Sequence, residues 1–300
     1  MSLFHEIIKK IGEEEKIKVT FLSDDWTIVL EKDNKIRYIT SYQFDLNHHA
    51  IGNIMDDKGL FWDLLKYQNI PVIEQNIIFH NYDKNVVKKY FKEHNQEIVI
   101  KGNIGNAGKE VFLVNNEENL FQVIDELLLK EYSVSLCPYY NIKNEYRVVI
   151  LDNTVRVIFG KIKPKIIGDG KKTIKELAME YSDYYVRHED KINNPDHVLK
   201  SGEEMELSFK FNLSSGAKTF TSIPEDLKCK IMDLALLVTK KLHITFASVD
   251  IIHTLDNRLL VLEANSGVTL NNFILQNENG YNIAYNIYLD AIKLMFEKQE

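Results

Sequence analysis

The stretch "ASVDIIHTLDNRLLVLEAN", residues 247–265, has the pattern of two β-strands joined by a tight turn. A two-residue turn at 256–257, a permissible though not ideal pair for this role, aligns the strands so that Asp250 lies directly opposite Glu263. Asn265 follows two residues after Glu263 and therefore projects from the same face of the hairpin. The sequence thus predicts two carboxylates and one amide together on one face.

Directly opposed carboxylates need a physical reason, because paired Cβ atoms lie roughly 4.5–5.5 Å apart and like charges at that separation are destabilising. A divalent cation is the simplest reason, since magnesium prefers oxygen ligands and is usually held by one or two carboxylates together with phosphates and water. The alternative is an exposed hairpin whose acids meet solvent or lysines. The hairpin by itself leaves both interpretations open.

A second stretch, "KGNIGNAGKEV" at 101–111, contains three glycines within seven residues and a lysine on either side. Its spacing does not match a Walker loop. The strands predicted on both sides, at 97–101 and 110–114, also exclude a dinucleotide fingerprint, which opens a helix. A glycine loop between strands suits backbone N–H groups that approach an anion without obstruction from Cβ atoms. A long hairpin without a ligand is the alternative.

Composition limits the class of protein. The 300 residues are 45% hydrophobic and 27% charged, with a formal net charge of −7, which is ordinary for a globular chain of one large or a few small domains. No block rich in lysine and arginine favours a nucleic-acid partner, and the longest apolar runs are far too short to span a membrane.

The cysteines and the N-terminal sequence help to predict the cellular compartment of the protein. The two cysteines, Cys137 and Cys229, provide neither a disulfide framework nor the spacing of metal ligands. The N-terminus lacks the long apolar core of a secretory signal. We therefore predict a reduced, cytoplasmic protein.

Periodicity and capping signals predict an α+β fold with mixed α/β layers. One helix is predicted to start after Asp56 and to end before Pro71. A long helix is predicted at 224–242, where Ser222 and Glu225 have capping-box spacing. Other predicted elements are helices at 84–94, 117–130, within 166–181 and near 281–297, and strands within 17–40 and at 132–137, 145–151 and 154–161.

In this order and spacing, the glycine hairpin and the later acid–acid–Asn hairpin resemble the ATP-grasp superfamily. Two further stretches, "IIGDGKKTIKEL" at 166–177 and "LSFKFNLSSGAKT" at 207–219, look like the ATP-grasp regions of cyanophycin synthetase and bifunctional glutathione synthetase. The likeness covers about residues 54–290. It implies an ATP-grasp fold, in which two α+β subdomains clasp ATP and magnesium between them.

The resemblance also implies a division of the chain. Residues 1–53 form a small N-terminal region of unassigned type, and residues 54–300 form the ATP-grasp domain. Within that domain, we expect a small nucleotide-lid subdomain at about 80–140 and a C-terminal metal and substrate subdomain at about 141–300.

Matching positions imply a nucleotide site. It comprises two lysines for the ATP phosphates, two glycines of the loop that closes over them, a hinge whose backbone reads adenine, and an acid for the ribose hydroxyl groups. These residues are, in the same order, Lys58 and Lys101, Gly105 and Gly108, Cys137, Pro138 and Tyr139, and Glu145.

The resemblance favours the cation interpretation of the 247–265 hairpin. Asp250, Glu263 and Asn265 match the family's magnesium ligands, and Mn²⁺ is a possible substitute. Catalytic roles are expected for four further residues, with an ordinary structural role as the alternative for each. They are Arg147, Lys161, Lys163 and Asn212.

Three positions depart from the family pattern. Gly102 replaces the proline usual after the second phosphate lysine, and Lys161 or Lys163 stands where relatives carry an arginine. Ser248 occupies a position where the related D-alanine ligases have arginine, which argues against the acceptor site of such a ligase.

The implied function is an ATP- and magnesium-dependent carboxylate–amine ligase that forms an amide through an acyl phosphate and releases ADP and phosphate. The expected partners are amino acids or short peptides as substrates, without nucleic acid or membrane, in a possible homo-oligomer. A catalytically silent ATP-binding module that regulates a partner is the alternative from another class. A phosphoryl-transferring protein that makes no amide is a second enzyme alternative, but it would need a catalytic histidine in a mobile domain.

Overall fold

The computed structural model describes residues 2–104 and 110–297. Gly105 and Gly108 lie outside the described residues, so their predicted role over the nucleotide phosphates stays a prediction.

Helices and strands alternate irregularly along the chain. The described helices, α1 to α10, are Leu3–Glu15, His49–Asp56, Lys58–Tyr67, Lys84–Glu93, Glu117–Leu128, Ile174–Tyr181, Asp183–Arg187, Glu225–Leu242, Asn271–Gln276 and Gly280–Glu297. The described strands, β1 to β15, are Lys18–Leu22, Thr27–Lys32, Lys35–Thr40, Gln43–Phe44, Asn76–Phe79, Ile98–Gly102, Val111–Val114, Ser133–Pro138, Ile142–Leu151, Thr154–Ile162, Lys165–Ile167, Glu204–Glu206, Lys218–Phe220, Phe246–Thr254 and Leu259–Asn265.

A central antiparallel sheet has the strand order β13-β10-β9-β14-β15. Helices α3 and α8 cover one of its faces, where Phe61 and Ile231 pack with Val148 and Ile251 of the sheet. Helix α10 packs on the other side together with the N-terminal region. Because both faces are covered, every residue of β14 is buried, although its sequence includes Asp250 and His253.

The N-terminal region, for which no family assignment follows from the sequence, shares its core with the central sheet. Strands β1 to β4 form an antiparallel sheet beneath α1. Phe4 of α1 and Leu30 of β2 belong to the same buried cluster as Phe246 of β14 and Tyr288 of α10. The boundary predicted at residue 53 stays a prediction, but residues on both sides of it pack together.

A second antiparallel sheet has the order β5-β8-β6-β7 and carries the start of the glycine loop. Helices α4 and α5 supply Phe91 and Ile124 to its core, which also contains Ile98, Ile100 and Leu136. Strands β6 and β7 pair as the predicted hairpin, with Lys101 opposite Val111. The α+β fold predicted from the sequence is confirmed by these antiparallel sheets and the helices that cover them.

The helix predicted to start after Asp56 and to end before Pro71 is confirmed, since α3 spans Lys58–Tyr67. Helix α2 ends at Asp56, and Asp57 adopts an extended conformation between α2 and α3. The Asp57 carboxylate then accepts a hydrogen bond from the backbone N–H of Leu60 at 2.9 Å. The Asp57 side chain therefore caps the start of α3.

The capping box predicted at Ser222 and Glu225 is wrong, since α8 begins after Pro224 without a side-chain cap. A capping box forms instead at α6, where the side chains of Thr173 and Glu176 each accept from the other residue's backbone N–H. Spacing alone cannot separate the two sites, because both fit the same pattern.

None of the helices in the described ranges is both long and apolar enough to cross a lipid bilayer.

Asn47 joins the N-terminal region to the central sheet. Its side chain accepts hydrogen bonds from the backbone N–H groups of Thr245 and Phe246 and donates to the Phe246 carbonyl, at 2.8, 3.1 and 2.6 Å. We expect Asn47→Ala to lower the free energy of unfolding by about 2 kcal/mol, because three hydrogen bonds are lost. Chemical denaturation measures this value. Asn193→Ala, at an exposed asparagine, is the control, and equal stability of the two variants would contradict the prediction.

Candidate active site

The hairpin of β14 and β15 brings Asp250 and Glu263 together, as predicted, but its turn is longer than predicted. The predicted two-residue turn is wrong: the Thr254 N–H donates to the Arg258 carbonyl, which leaves three residues in the turn. Asn257 takes the left-handed conformation, with φ of 62°, as is common in such turns. This turn alone would place Leu262 opposite Asp250.

A β-bulge restores the predicted pairing. The register shifts between Asp250 and Ile251, so that Ile251 faces Val261 whereas Asp250 faces Glu263. Leu262 is the extra residue of the bulge, and such bulges re-aim side chains near functional sites. The pairing of Asp250 with Glu263 is therefore confirmed, and the role of this pair as metal ligands stays a prediction.

Charged side chains form a row across four strands on this face of the central sheet. Direct cross-strand pairs join Lys161 of β10 to Glu145 of β9, and Arg147 of β9 to Asp250 of β14. Asp250 in turn faces Glu263 of β15. Because directly paired residues project to the same face, the strand order places these five residues, which we call the charged row, side by side.

Asp250 is the most heavily paired member of the charged row. Its Oδ1 accepts from Arg147 Nε at 2.8 Å, and its Oδ2 accepts from Arg147 Nη2 at 2.6 Å and from Lys161 Nζ at 3.0 Å. The Asp250 side chain is 2% exposed. Burial alone would raise the pKa of Asp250, but Arg147 and Lys161 hold that pKa well below its ordinary value.

Lys161 links the two buried carboxylates of the row. Its Nζ lies 2.5 Å from Glu145 Oε1, and the side chains of Lys161 and Glu145 are 5% and 10% exposed. Burial raises the pKa of Glu145 above its ordinary value, and Asp250 acts in the same direction, although Lys161 opposes both. Lys161 therefore neutralises two acids at once, and its removal would leave charge uncompensated in the interior.

Glu263 and Asn265 lie at the open end of the row. Asn265 Nδ2 donates to Glu263 Oε1 at 3.1 Å, so the amide of one predicted metal ligand faces the carboxylate of another. Both residues line a cleft of about 370 Å³, partly open to solvent.

The donor chemistry of Asp250, Glu263 and Asn265 fits a magnesium ion, since two carboxylates and an amide oxygen are hard ligands on one face. In the described ranges, however, no group of three or more acidic, histidine or cysteine side chains is arranged to hold a metal. The set thus matches the two-carboxylate magnesium sites that complete their coordination with phosphate oxygens and water.

Two lysines lie near one another, and one of them lines this cleft. Lys58, at the start of α3, lines the cleft together with Glu263. Burial and the nearby Lys101 lower the pKa of Lys58 to about 8, although Glu263 opposes this shift. Lys101 is the penultimate residue of β6 and is only 7% exposed, and within the described ranges its ammonium has no hydrogen-bond or ion-pair partner. Two neighbouring cations, one buried and one half-buried, indicate a site for an anion.

Asn103 fixes the start of α3 against the glycine hairpin. Its carbonyl accepts from the backbone N–H and from Nζ of Lys58 at 3.2 and 3.1 Å, and its Oδ1 accepts from the Gly59 N–H at 3.0 Å. Its own N–H donates to the Ser133 carbonyl. Asn103 therefore sets the distance between Lys58 and Lys101, a role that sequence reasoning missed, since the residue carries no motif beyond its place in the glycine stretch.

Gln75 was missed for the same reason. It lines the cleft and is 4% exposed, and its Oε1 accepts a short hydrogen bond from Ser135 Oγ. Ser135 pairs directly with Lys101 across the sheet, so this bond orients the Gln75 amide beside the lysines.

The hinge predicted to read adenine lies at the end of β8. The Tyr139 N–H donates to the Glu97 carbonyl at 3.1 Å, Pro138 has no N–H to offer, and burial raises the pKa of the Cys137 thiol to about 12. An apolar cluster beside the hinge joins Cys137 to Ile252 of the central sheet, and it also contains Ile73, Leu260 and Val99. This cluster suits an aromatic base, and the adenine role stays a prediction.

Two predicted catalytic residues have contacts outside the charged row. Lys163 pairs with Glu206 of β12 at 3.1 Å and lies over the Phe211 ring. Asn212 starts a short 3₁₀ turn, where its Oδ1 accepts from the N–H and the hydroxyl of Ser214. Arg147 and Lys161, by contrast, belong to the row, and the catalytic role of all four stays a prediction.

The comparisons with known proteins agree with this fold. No family model matches the chain. The chain is 25% identical over 139 residues to the glutathione biosynthesis bifunctional protein GshAB of Lactiplantibacillus plantarum, an alignment that covers 44% of this chain and 18% of that protein. The chain therefore spans about a fifth of the length of this relative.

Two solved structures extend the comparison. The bifunctional glutathione synthetase of Pasteurella multocida matches 99% of this chain and 44% of its own, with a TM-score of 0.56 and 17% identity. The D-alanine–D-alanine ligase of Bacillus anthracis matches 81% of this chain and 67% of its own, with a TM-score of 0.56 and 18% identity. The chain has the ATP-grasp fold, as the sequence resemblance implied.

Burial of the charged row predicts that removal of its central acid lowers stability more than removal of an exposed acid does. Asp250→Asn should lower the free energy of unfolding by about 3 kcal/mol, because Arg147 and Lys161 lose their common buried counter-charge. Glu204→Gln is the matched control: this acid pairs with Lys165 at 2.6 Å, but both side chains are exposed, and such pairs contribute little. Urea denaturation measures the free energy of unfolding of both variants. A similar decrease in the two would contradict the prediction that buried contacts of Asp250 stabilise the protein more than an exposed ion pair does.

Proposed function

We propose that this chain is an ATP- and magnesium-dependent ligase that joins a carboxylate to an amine and releases ADP and phosphate. One observation carries the proposal: within an ATP-grasp fold, Lys58 lines one cleft together with Glu263 and Asn265, and Lys101 lies near enough to lower the pKa of Lys58. The similar proteins reported above include a synthetase and a ligase, which supports this class.

The two lysines would hold the nucleotide phosphates. Lys58 is fixed by Asn103, and Lys101 lies within β6, so their charges are placed before the nucleotide arrives. Preorganised positive charge lowers the barrier most where negative charge develops during phosphoryl transfer.

The far wall of the cleft would hold the metal. Asp250, Glu263 and Asn265 supply oxygen ligands there, and a bound Mg²⁺ would neutralise phosphate charge. Arg147 and Lys161 orient the Asp250 carboxylate through the bonds described above, and their charges would lie beside the transferring group.

The proposed reaction has two steps. A carboxylate oxygen of the substrate attacks the γ-phosphorus, and the bond from that phosphorus to the bridging oxygen breaks, so that ADP leaves and an acyl phosphate remains. The amine nitrogen then attacks the acyl carbon, loses a proton, and phosphate leaves with the electrons of the broken carbon–oxygen bond. The residues around the cleft would contribute position and charge.

An amino acid or a short peptide is the proposed substrate class. Support comes by analogy from the names of the similar proteins, which concern glutathione and D-alanine. Ser248 lies at the position where arginine is expected in the D-alanine ligases, so a different acceptor is proposed.

The nucleotide product tests the reaction. Incubation with ATP, Mg²⁺ and a panel of amino acids and dipeptides should yield ADP and phosphate together with an amide, measured by chromatography and mass spectrometry. Formation of AMP coupled to product would overturn the mechanism. Nucleotide binding without stimulated turnover across the panel would favour the silent binding module.

Lys58 makes nucleotide binding depend on pH. Because its pKa in the nucleotide-free protein is about 8, Lys58 loses its charge as the pH rises through that value. Protonating Lys58 again then costs part of the free energy of phosphate binding. The affinity for the ATP analogue AMPPNP should therefore fall by about tenfold per pH unit above the pKa. Calorimetry over this range measures the slope. Lys58→Arg, which stays charged, should flatten it, whereas Lys66→Arg on the same helix should not, and parallel curves for all three proteins would contradict the prediction.

A further inference from the structure

The three predicted metal ligands are already engaged within the protein. Both oxygens of Asp250 accept hydrogen bonds from cations, three in all, from Arg147 and Lys161. The Asn265 amide donates to Glu263. A free divalent cation that approached Asp250 would therefore meet two positive charges at the ligand that it needs.

The two cations on Asp250 differ in how easily they can leave. Arg147 holds Asp250 through a bidentate pair, a geometry that fixes the guanidinium plane and cannot be relieved by deprotonation. Lys161 makes a single contact with Asp250, at 3.0 Å, on a flexible four-carbon stem. Lys161 is thus the cation that can exchange one anion for another.

Lys161 could leave only toward another anion, because both it and its partners are almost fully buried. The phosphates proposed to bind between the row and the two lysines would be such an anion. Glu145, which Lys161 would also release, is the residue predicted to accept hydrogen bonds from ribose hydroxyl groups. A nucleotide would therefore provide a new partner both for the Lys161 ammonium and for the Glu145 carboxylate.

We propose that the positive charges of Arg147 and Lys161 prevent a free divalent cation from binding to Asp250, and that Lys161 releases Asp250 only when nucleotide phosphates are present. The metal site then accepts a metal together with a nucleotide and rejects the metal alone. The nucleotide part of this inference rests on the proposed function, whereas the rejection of free metal rests on the charged row alone. In this role Lys161 is a positioning residue for Asp250.

The native protein provides the first test. Binding of Mn²⁺, followed by electron paramagnetic resonance, should be tighter by about tenfold or more with AMPPNP present than with Mn²⁺ alone. Equal affinity for Mn²⁺ with and without AMPPNP would overturn the inference. This arm needs no variant and therefore no assumption about folding.

The double variant Lys161→Met, Glu145→Gln provides the second test, because it removes the cation without leaving a buried carboxylate unpaired. We expect Mn²⁺ alone to bind the double variant about tenfold tighter than the native protein, and AMPPNP with Mn²⁺ to bind it more weakly. A merely structural role would move both affinities in the same direction, and that outcome, or no gain for Mn²⁺ alone, would overturn the inference.

Two controls complete the design. Lys161→Arg keeps the charge and should restore the weak binding of Mn²⁺ alone. The pair Lys165→Met, Glu204→Gln removes an exposed ion pair and should change neither affinity. If native protein fails to bind AMPPNP at all, the proposed function fails, while the affinities of both proteins for Mn²⁺ alone still decide whether the row rejects a free cation.

Discussion

Burial of paired charges on one face of the central sheet is the constraint on which the rest of the structure depends. Moving an ion into a protein interior costs several kcal/mol, and here Lys161, Glu145, Arg147 and Asp250 are all largely withdrawn from water. Such a group is tolerated only if each charge has partners with good geometry. The antiparallel register supplies that geometry, because each cation lies directly across from an acid on the adjacent strand.

The two walls of the cleft therefore have opposite electrostatic characters. On the sheet, cations and acids compensate one another, and Glu263 extends the row with a further negative charge. Lys58 lines the same cleft, and Lys101 lies close enough to lower the pKa of Lys58. An anion beside the lysines would compensate their positive charge, and a cation beside Glu263 would compensate its negative charge. A metal-bound polyphosphate would supply both and therefore suits the cleft.

Much of the fold could be predicted from local sequence. The β6–β7 hairpin, the helices α4, α5 and α8, and the strands β9, β10, β14 and β15 of the central sheet follow from apolar periodicity and from glycine, and these local signals act within a few residues. The turn before Arg258 was missed because a three-residue turn satisfies the same sequence pattern as a two-residue turn. The pairing of Asp250 with Glu263 was predicted correctly although the turn was not, since the extra residue in the turn and the bulge at Leu262 compensate in register.

The sequence by itself determined the class of fold and the set of residues that could meet a nucleotide, because the order and spacing of the glycine hairpin and the acidic hairpin are properties of the chain. Only the tertiary structure decided what those residues touch. Arg147 and Asp250 are 103 residues apart in sequence, and Lys58 and Asn103 are 45 apart, so no local pattern relates them. Their contacts arise from strand order and helix packing, since burial forces each polar group to find whichever partner the fold brings near it.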